Sequence, residues 1–260
     1  MKAFASRILC WLFALTISAH ADSRGDELIN KYLSQSARRD AMLTMNVEYQ
    51  ELQKEPVKLK FTWMRKLKQG AMSHLIRIEA PPSEKGKLLL VHEKPNGSAD
   101  YIAYRPSSTI KKKVRVSGAR NYKYKGLTIS VQELIGGEFN KYSHLWKEEE
   151  AIGGVPCHVV ENLLKPEFKN ESDYPRSVSY LRKDNGMLLK WDLFGKSNKL
   201  EKVITAEEIK QIEGFWTVTL ARVDDLKKGG KLTLRLKEAH YNPQLEDDLF
   251  SEEYLKQNSQ

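Results

Sequence analysis

The chain has 260 residues, a formal net charge of +9 and two cysteines. This length allows one large domain or two small ones. A surplus of positive charge suits anionic lipid head groups, acidic partners or nucleic acid, but it is equally typical of a soluble surface rich in lysine.

The N-terminus has the pattern of a secretory leader. Lys2 and Arg7 supply positive charge, residues 8–17 form a short apolar run, and Ala19-His20-Ala21 matches the small-x-small pattern of a cleavage site. The pattern predicts a signal peptide over residues 1–21, cleaved after Ala21, and a periplasmic mature chain with a charge of +7. Export argues against nucleotide-driven chemistry and against a nucleic-acid partner. The rest of the sequence contains no stretch of about 18 apolar residues, so no second membrane segment is predicted.

The cysteines predict a fold without disulfides. Cys10 lies within the apolar run of the leader, so it is not a lipid-attachment site and is lost on cleavage. Cys157 alone remains, in a segment that reads as a strand. We expect it to be a small buried core residue rather than a nucleophile.

The mature chain, taken in order, reads mainly as β-structure. Apolar positions predict a short helix at residues 26–36, after which period-two alternation predicts strands. Asn96-Gly97, Asn185-Gly186 and Gly229-Gly230 are typical of tight hairpin turns. Helical segments are predicted near 127–134 and 249–256. The predicted strands cover residues 57–63, 73–79, 87–93, 99–104, 110–116, 142–150, 155–164, 177–182, 187–194, 215–223 and 231–240.

No composition break divides residues 22–260, which predicts a single domain. A sheet of this size must curl and have its inner face covered, and the few helices are available for that role.

Motifs for catalysis or metal binding are absent from the sequence. The five histidines of the mature chain form no His-Glu-x-x-His pair, and there is no Gly-x-Ser-x-Gly elbow or phosphate-binding glycine loop. We therefore expect no catalytic residues, no metal and no cofactor.

Residues 104–118 (YRPSSTIKKKVRVSG) combine a tyrosine–proline turn with a basic strand. One interpretation is an edge strand whose lysines prevent pairing between sheets. The other is a basic lip that contacts an anionic partner or head group. The residues concerned are Arg105, Lys111, Lys112, Lys113 and Arg115.

This stretch resembles the outer-membrane lipoprotein-sorting proteins, the family related to the LolA and LolB carriers. That family has a "YLP…KRVRRI(S/A)G" segment, which Tyr104, Pro106, residues 112–115 and Ser117-Gly118 match. Arg105 departs from it, because the family has leucine there. Further segments also resemble the family in order: VQEL at 131–134, PCHVV at 156–160, the hairpin at 174–194 and LFSEEYL at 249–255.

The resemblance implies a mainly β fold: an incomplete, half-open antiparallel β-barrel of roughly eleven strands with a few covering helices. It implies an apolar cavity between the sheet and the helices that shelters acyl chains, each buried methylene contributing about 0.8 kcal/mol. Ordinary core packing is the alternative for every candidate lining residue. These candidates are Phe61, Trp63, Ile76, Ile78, Leu189, Trp191, Trp216, Val218 and Leu220.

Two functions remain open from the sequence. The first is a soluble, monomeric periplasmic carrier of lipid or lipoprotein acyl chains, working between an inner-membrane exporter and an outer-membrane acceptor. The second is an envelope sensor or accessory protein of the same fold that binds and regulates a partner through the basic strand. Nothing in the sequence favours an enzyme.

Overall fold

The computed structural model describes residues 23–36, 40–52, 54–94, 99–105, 112–115, 129–134 and 139–259. These residues form three α-helices, α1 (Ser23–Ser36), α2 (Val131–Leu134) and α3 (Glu252–Asn258), together with short 3₁₀ turns. They also form thirteen strands: β1 (Ala41–Gln50), β2 (Val57–Lys68), β3 (Ala71–Ala80), β4 (Leu88–Glu93), β5 (Ala99–Arg105), β6 (Lys112–Arg115), β7 (Tyr142–Ile152), β8 (Val155–Leu164), β9 (Arg176–Arg182), β10 (Leu188–Phe194), β11 (Leu200–Ile212), β12 (Phe215–Asp225) and β13 (Gly230–Tyr241).

The strands form one antiparallel sheet in the order β6-β5-β4-β3-β2-β1-β13-β12-β11-β10-β9-β8-β7. The first strand pairs with the last in the middle of this order, whereas β6 and β7, which are consecutive in the chain, lie at opposite edges. The chain therefore crosses from one edge to the other through the stretch that contains α2. The sheet is not closed into a barrel by any pairing among these strands, which confirms the predicted half-open architecture.

The hairpin turns predicted from glycine are confirmed where they are described. Gly186 and Gly229 have φ angles of +70° and +72°, in the left-handed region that glycine adopts without strain. The turn at Asn96-Gly97 lies outside the described residues. The strand count is thirteen rather than about eleven, because β1 and β11 were not among the predicted strands.

The helices cover both faces of the sheet. We call the face covered by α1 and α2 the inner face. Ile29 of α1 packs there against Val160, Leu181 and Trp191, and Val131 of α2 packs over β1, β2 and β13. On the outer face, Phe250 and Leu255 near the C-terminus bury a second apolar cluster against β2–β5.

Helix α1 is held against the edge strand β7 by a close backbone approach. A Cβ atom on Gly25 would lie 2.3 Å from the carbonyl oxygen of His144. The guanidinium of Arg24 lies 3.9 Å from the centre of the Trp146 ring and reaches Glu149 at 3.4 Å. A covering helix of this kind protects an exposed sheet edge from pairing with other chains.

Candidate functional site: an apolar cavity under two helices

A cavity of about 190 Å³ lies between the inner face and the two helices α1 and α2. Its walls are mainly apolar, and Arg65 and Glu133 are its charged members. The lining residues are Tyr32, Leu43, Met45, Trp63, Arg65, Ile129, Glu133, Leu134, Met187, Ile204, Trp216, Thr217, Val218, Ala221, Leu234, Leu236 and Tyr241.

Helix α2 begins with a reciprocal cap. The Ser130 backbone N–H donates to Glu133 Oε2 at 2.7 Å, and the Glu133 N–H donates to Ser130 Oγ at 3.2 Å. This capping box satisfies two backbone donors of a helix that is only four residues long. A single turn of helix has little stability of its own, so its contacts with the sheet must hold it in place.

A buried ion pair supplies one such contact. Lys202 of β11, with its side chain 1% exposed, donates from Nζ to Glu133 Oε1 at 2.6 Å. The same Nζ lies 5.1 Å from the centre of the Tyr174 ring, and burial raises the pKa of Tyr174 above its usual range. Glu133 therefore both caps α2 and ties it to the sheet beside the cavity.

A second polar group adjoins the cavity at Trp63. Its indole N–H donates to Nδ1 of the fully buried His74 at 3.2 Å, and His74 Nε2 lies 3.1 Å from Glu93 Oε1. Because Nδ1 accepts, Nε2 carries the proton and donates to the carboxylate. Burial lowers the pKa of His74, which favours this neutral form. The arrangement fixes the orientation of the Trp63 ring in the cavity wall.

The structure separates the candidate lining residues into three groups. Trp63, Trp216 and Val218 line the cavity. Phe61, Ile76 and Ile78 are buried in the apolar cluster that also contains Trp63, and Trp191 lies in the cluster beneath α1. Leu189 and Leu220 are partly buried and do not line the cavity.

Bulges explain why a simple period-two reading of β12 is incomplete. In the β11–β12 ladder, Ala206 pairs with Ala221, Glu208 with Leu220, and Ile209 with Val218. Thr219 is thus skipped, and the residues before it change face relative to those after it. Ala221 on one side of the bulge and Val218 on the other therefore line the same cavity.

Several lining residues were not among the candidates. Four of them alternate with polar residues, so the period-two pattern of a strand could have identified them. They are Leu43 and Met45 of β1 and Leu234 and Leu236 of β13. Tyr32 lies in the helix predicted at residues 26–36, but nothing in the sequence indicates that this helix meets a cavity.

The basic stretch lies at one edge of the sheet. β6 is the edge strand and pairs with β5 through Arg105 opposite Lys112 and Ile102 opposite Arg115. Lys113 is also on β6, whereas Lys111 lies outside the described residues. The edge position is confirmed for residues 112–115, whereas the protective role of the lysines and a partner contact both remain predictions.

The described residues contain no group of three His, Cys, Asp or Glu side chains placed to hold a metal ion. None of the helices within the same ranges is long and apolar enough to cross a membrane. Cys157 is a free thiol with no exposed surface, as predicted, and burial raises its pKa. A buried thiol with a raised pKa is a poor nucleophile.

Comparison with known proteins gives a family and a fold. A family model described as that of an uncharacterized protein matches residues 70–257. No curated protein matches the sequence of this chain. Among solved structures, a DUF1329 family protein from Desulfovibrio piger has a TM-score of 0.81 at 22% identity, over 90% of this chain and 99% of that one.

Two further solved structures have a similar fold. A domain from Vibrio parahaemolyticus described as an outer membrane lipoprotein-sorting protein has a TM-score of 0.81 at 21% identity, covering 90% of this chain and 99% of its own. A LolA superfamily protein from Nitrosomonas europaea has a TM-score of 0.71 at 16% identity, covering 89% and 99%. The chain therefore belongs to the uncharacterized-protein family whose model matches residues 70–257, and it has the fold of the outer-membrane lipoprotein-sorting, LolA-like proteins that its motifs resemble.

Proposed function

We propose that the protein is a periplasmic, non-catalytic carrier that shelters acyl chains in the cavity between the inner face and helices α1 and α2. The observation that carries this proposal is the cavity itself, with its mainly apolar walls. The names of the similar proteins and the leader-like N-terminus support the same role and place.

The volume of the cavity limits the length of the acyl chain that fits inside it. An apolar cavity of about 150 Å³ accepts benzene, so about 190 Å³ accommodates a segment of roughly six or seven carbons. At about 0.8 kcal/mol per methylene, six methylenes contribute about 5 kcal/mol. That corresponds to a dissociation constant of about 0.2 mM. A longer acyl chain exceeds this volume and would be accommodated by a movement of α1 or α2 away from the sheet.

A chain-length series tests the proposal. Fatty acids of 6 to 16 carbons would compete with cis-parinaric acid, a fluorescent fatty acid, for the purified mature protein. For a carrier whose helices move, we expect affinity to rise about fourfold per added methylene and to keep rising beyond seven carbons. Failure of all chain lengths to bind, together with native mass spectra free of lipid after purification from periplasm, would contradict the proposal.

A matched pair of variants locates the site. Ala221→Phe places a ring in the cavity and should weaken the binding of all chain lengths by at least tenfold. Ala151→Phe makes the same change at an exposed position of β7 and should bind as the wild type does. Equal loss in both variants would contradict binding in the cavity.

A second function is favoured by the position of the basic strand. β6 forms a sheet edge, where a partner can add a strand or dock against charge. In this role the chain is an envelope sensor or accessory protein that binds a partner through β6. Changing Lys112, Lys113 and Arg115 to Glu should then abolish binding of that partner. Reversal of the exposed Lys58 and Lys60 of β2 is the control, and fatty acid binding should survive both changes.

A further inference from the structure

Two neighbouring strands of the sheet separate next to the cavity. The ladder between β12 and β13 runs from Asp225 opposite Gly230 to Leu220 opposite Arg235 and ends there. Beyond that point, β12 residues 215–219 pair only with β11, and β13 residues 236–241 pair with β1. We call this opening the β12–β13 split.

Bulges on both sides produce the split. The β11–β12 ladder shifts register between Ala206 and Ile209, and the β1–β13 ladder shifts between Thr44 and Met45. A bulge bends its strand and increases the local twist. Because the shifts lie at the level where the β12–β13 ladder ends, the β11–β12 hairpin bends away from β13.

Side chains bridge the split in place of backbone hydrogen bonds. Thr217 Oγ1 and the Tyr241 hydroxyl are 2.7 Å apart, and the Phe215 and Tyr241 ring centres are 4.8 Å apart. The Tyr241 N–H donates to the carboxylate of Glu213 at 2.8 Å. A carboxylate from the β11–β12 turn thus satisfies a backbone donor of β13, and the strands remain apart without an unpaired N–H there.

The split borders the cavity. Residues from both of its sides line the cavity wall: Trp216, Thr217 and Val218 from β12, and Leu236 and Tyr241 from β13. The other strands of the cavity floor, such as β1 and β2, are joined by backbone ladders along their length. Across the split, the two strands are joined instead by the Thr217–Tyr241 hydrogen bond, the Phe215–Tyr241 ring contact and the bond from the Tyr241 N–H to Glu213.

We infer that the β12–β13 split is a lateral portal through which a single alkyl chain enters and leaves the cavity, with Thr217, Phe215 and Tyr241 as its gate. This inference rests on the proposed carrier function. A gate changes the rates of entry and exit together, because it acts on the barrier and not on the bound state.

Removing the gate's hydrogen bond provides the first arm of the test. In Tyr241→Phe and Thr217→Val, stopped-flow fluorescence with cis-parinaric acid should show entry and exit rates that both rise roughly fivefold, the equivalent of one ordinary hydrogen bond. Because both of these side chains line the cavity, affinity is compared in Phe215→Leu, whose side chain is not among the lining residues. In that variant entry and exit should rise together, and the dissociation constant should stay within about twofold of the wild type. A change in affinity with an unchanged entry rate would contradict a gate.

Closing the split provides the second arm. Phe215→Cys/Tyr241→Cys, joined by a cleavable bifunctional maleimide, should exchange the probe at least tenfold more slowly, and cleavage of the linker should restore the rate. The control is the same reagent on Arg222→Cys/Thr233→Cys, which bridges a paired part of the same two strands. Equal rates in the two cross-linked proteins would overturn the portal and leave the carrier intact, whereas a wild type that binds no fatty acid would overturn both.

Discussion

Replacing Lys202 with Met tests whether the Glu133–Lys202 ion pair holds α2 on the sheet. Removal of one member of a buried pair costs about 3–5 kcal/mol, because the other charge stays buried without its partner. Glu133 is about 10% exposed and keeps two bonds from Ser130, so we expect a loss near the lower end, about 3 kcal/mol. Glu133→Gln combined with Lys202→Met removes both charges and should recover about 2 kcal/mol of that loss.

Urea unfolding measures the global effect, and hydrogen exchange of residues 129–134 measures release of α2. With a slope of about 3 kcal/mol per molar urea, the unfolding midpoint of Lys202→Met should fall by about 1 M. If α2 detaches without global unfolding, the exchange rates near Glu133 rise while the midpoint changes little. A single variant that changes neither measurement, or a double variant no more stable than the single one, would refute the role of the pair.

Three further changes test contacts elsewhere in the fold. Gly25→Ala gains about 1 kcal/mol of helix propensity but forces a Cβ against the His144 carbonyl. The clash should dominate and lower the thermal unfolding midpoint by several degrees, and an unchanged or raised midpoint would show that α1 shifts freely. Burial lowers the pKa of both His74 and His144, so stability should be complete above about pH 6.5 and fall as the pH drops below it. His74→Gln should flatten that decline between pH 6.5 and 5, and an unaltered slope would contradict the assignment. Asn162→Ala leaves His144, Ser177 and Ser179 without their amide partner and should cost about 2–4 kcal/mol in urea unfolding, whereas a loss below 0.5 kcal/mol would mean that the neighbours repack.

Local signals in the sequence were sufficient for most of the fold. Alternation at residues 57–63 and glycine at positions 186 and 229 predict β2 and two hairpin turns, and all three are confirmed. These features depend on neighbouring residues only, so the sequence exposes them directly. The motifs that resemble lipoprotein-sorting proteins then indicate how the strands are arranged.

The cavity was less accessible to sequence reasoning, since it depends on contacts between distant segments. Glu133 and Lys202 carry no local sign that they form a buried pair. The bulge at Thr219 is equally invisible, although it determines which face Trp216 and Val218 occupy. Among the candidate residues, Trp63 lines the cavity while Ile76 packs in the core beside it, and both have the same alternation.

The pairing of β1 with β13 has a consequence for how the chain folds. The middle of the sheet joins the two ends of the sequence, as in the pair Ala41–Tyr241. Because the chain is synthesised from its N-terminus, β1 is available long before its partner β13. The β1–β6 and β7–β13 meanders can form by local pairing, but the seam between β1 and β13 closes only after β13 has been synthesised. Because pairing over such a distance is slow, the unpaired side of β1 is the surface that needs protection from aggregation during biogenesis.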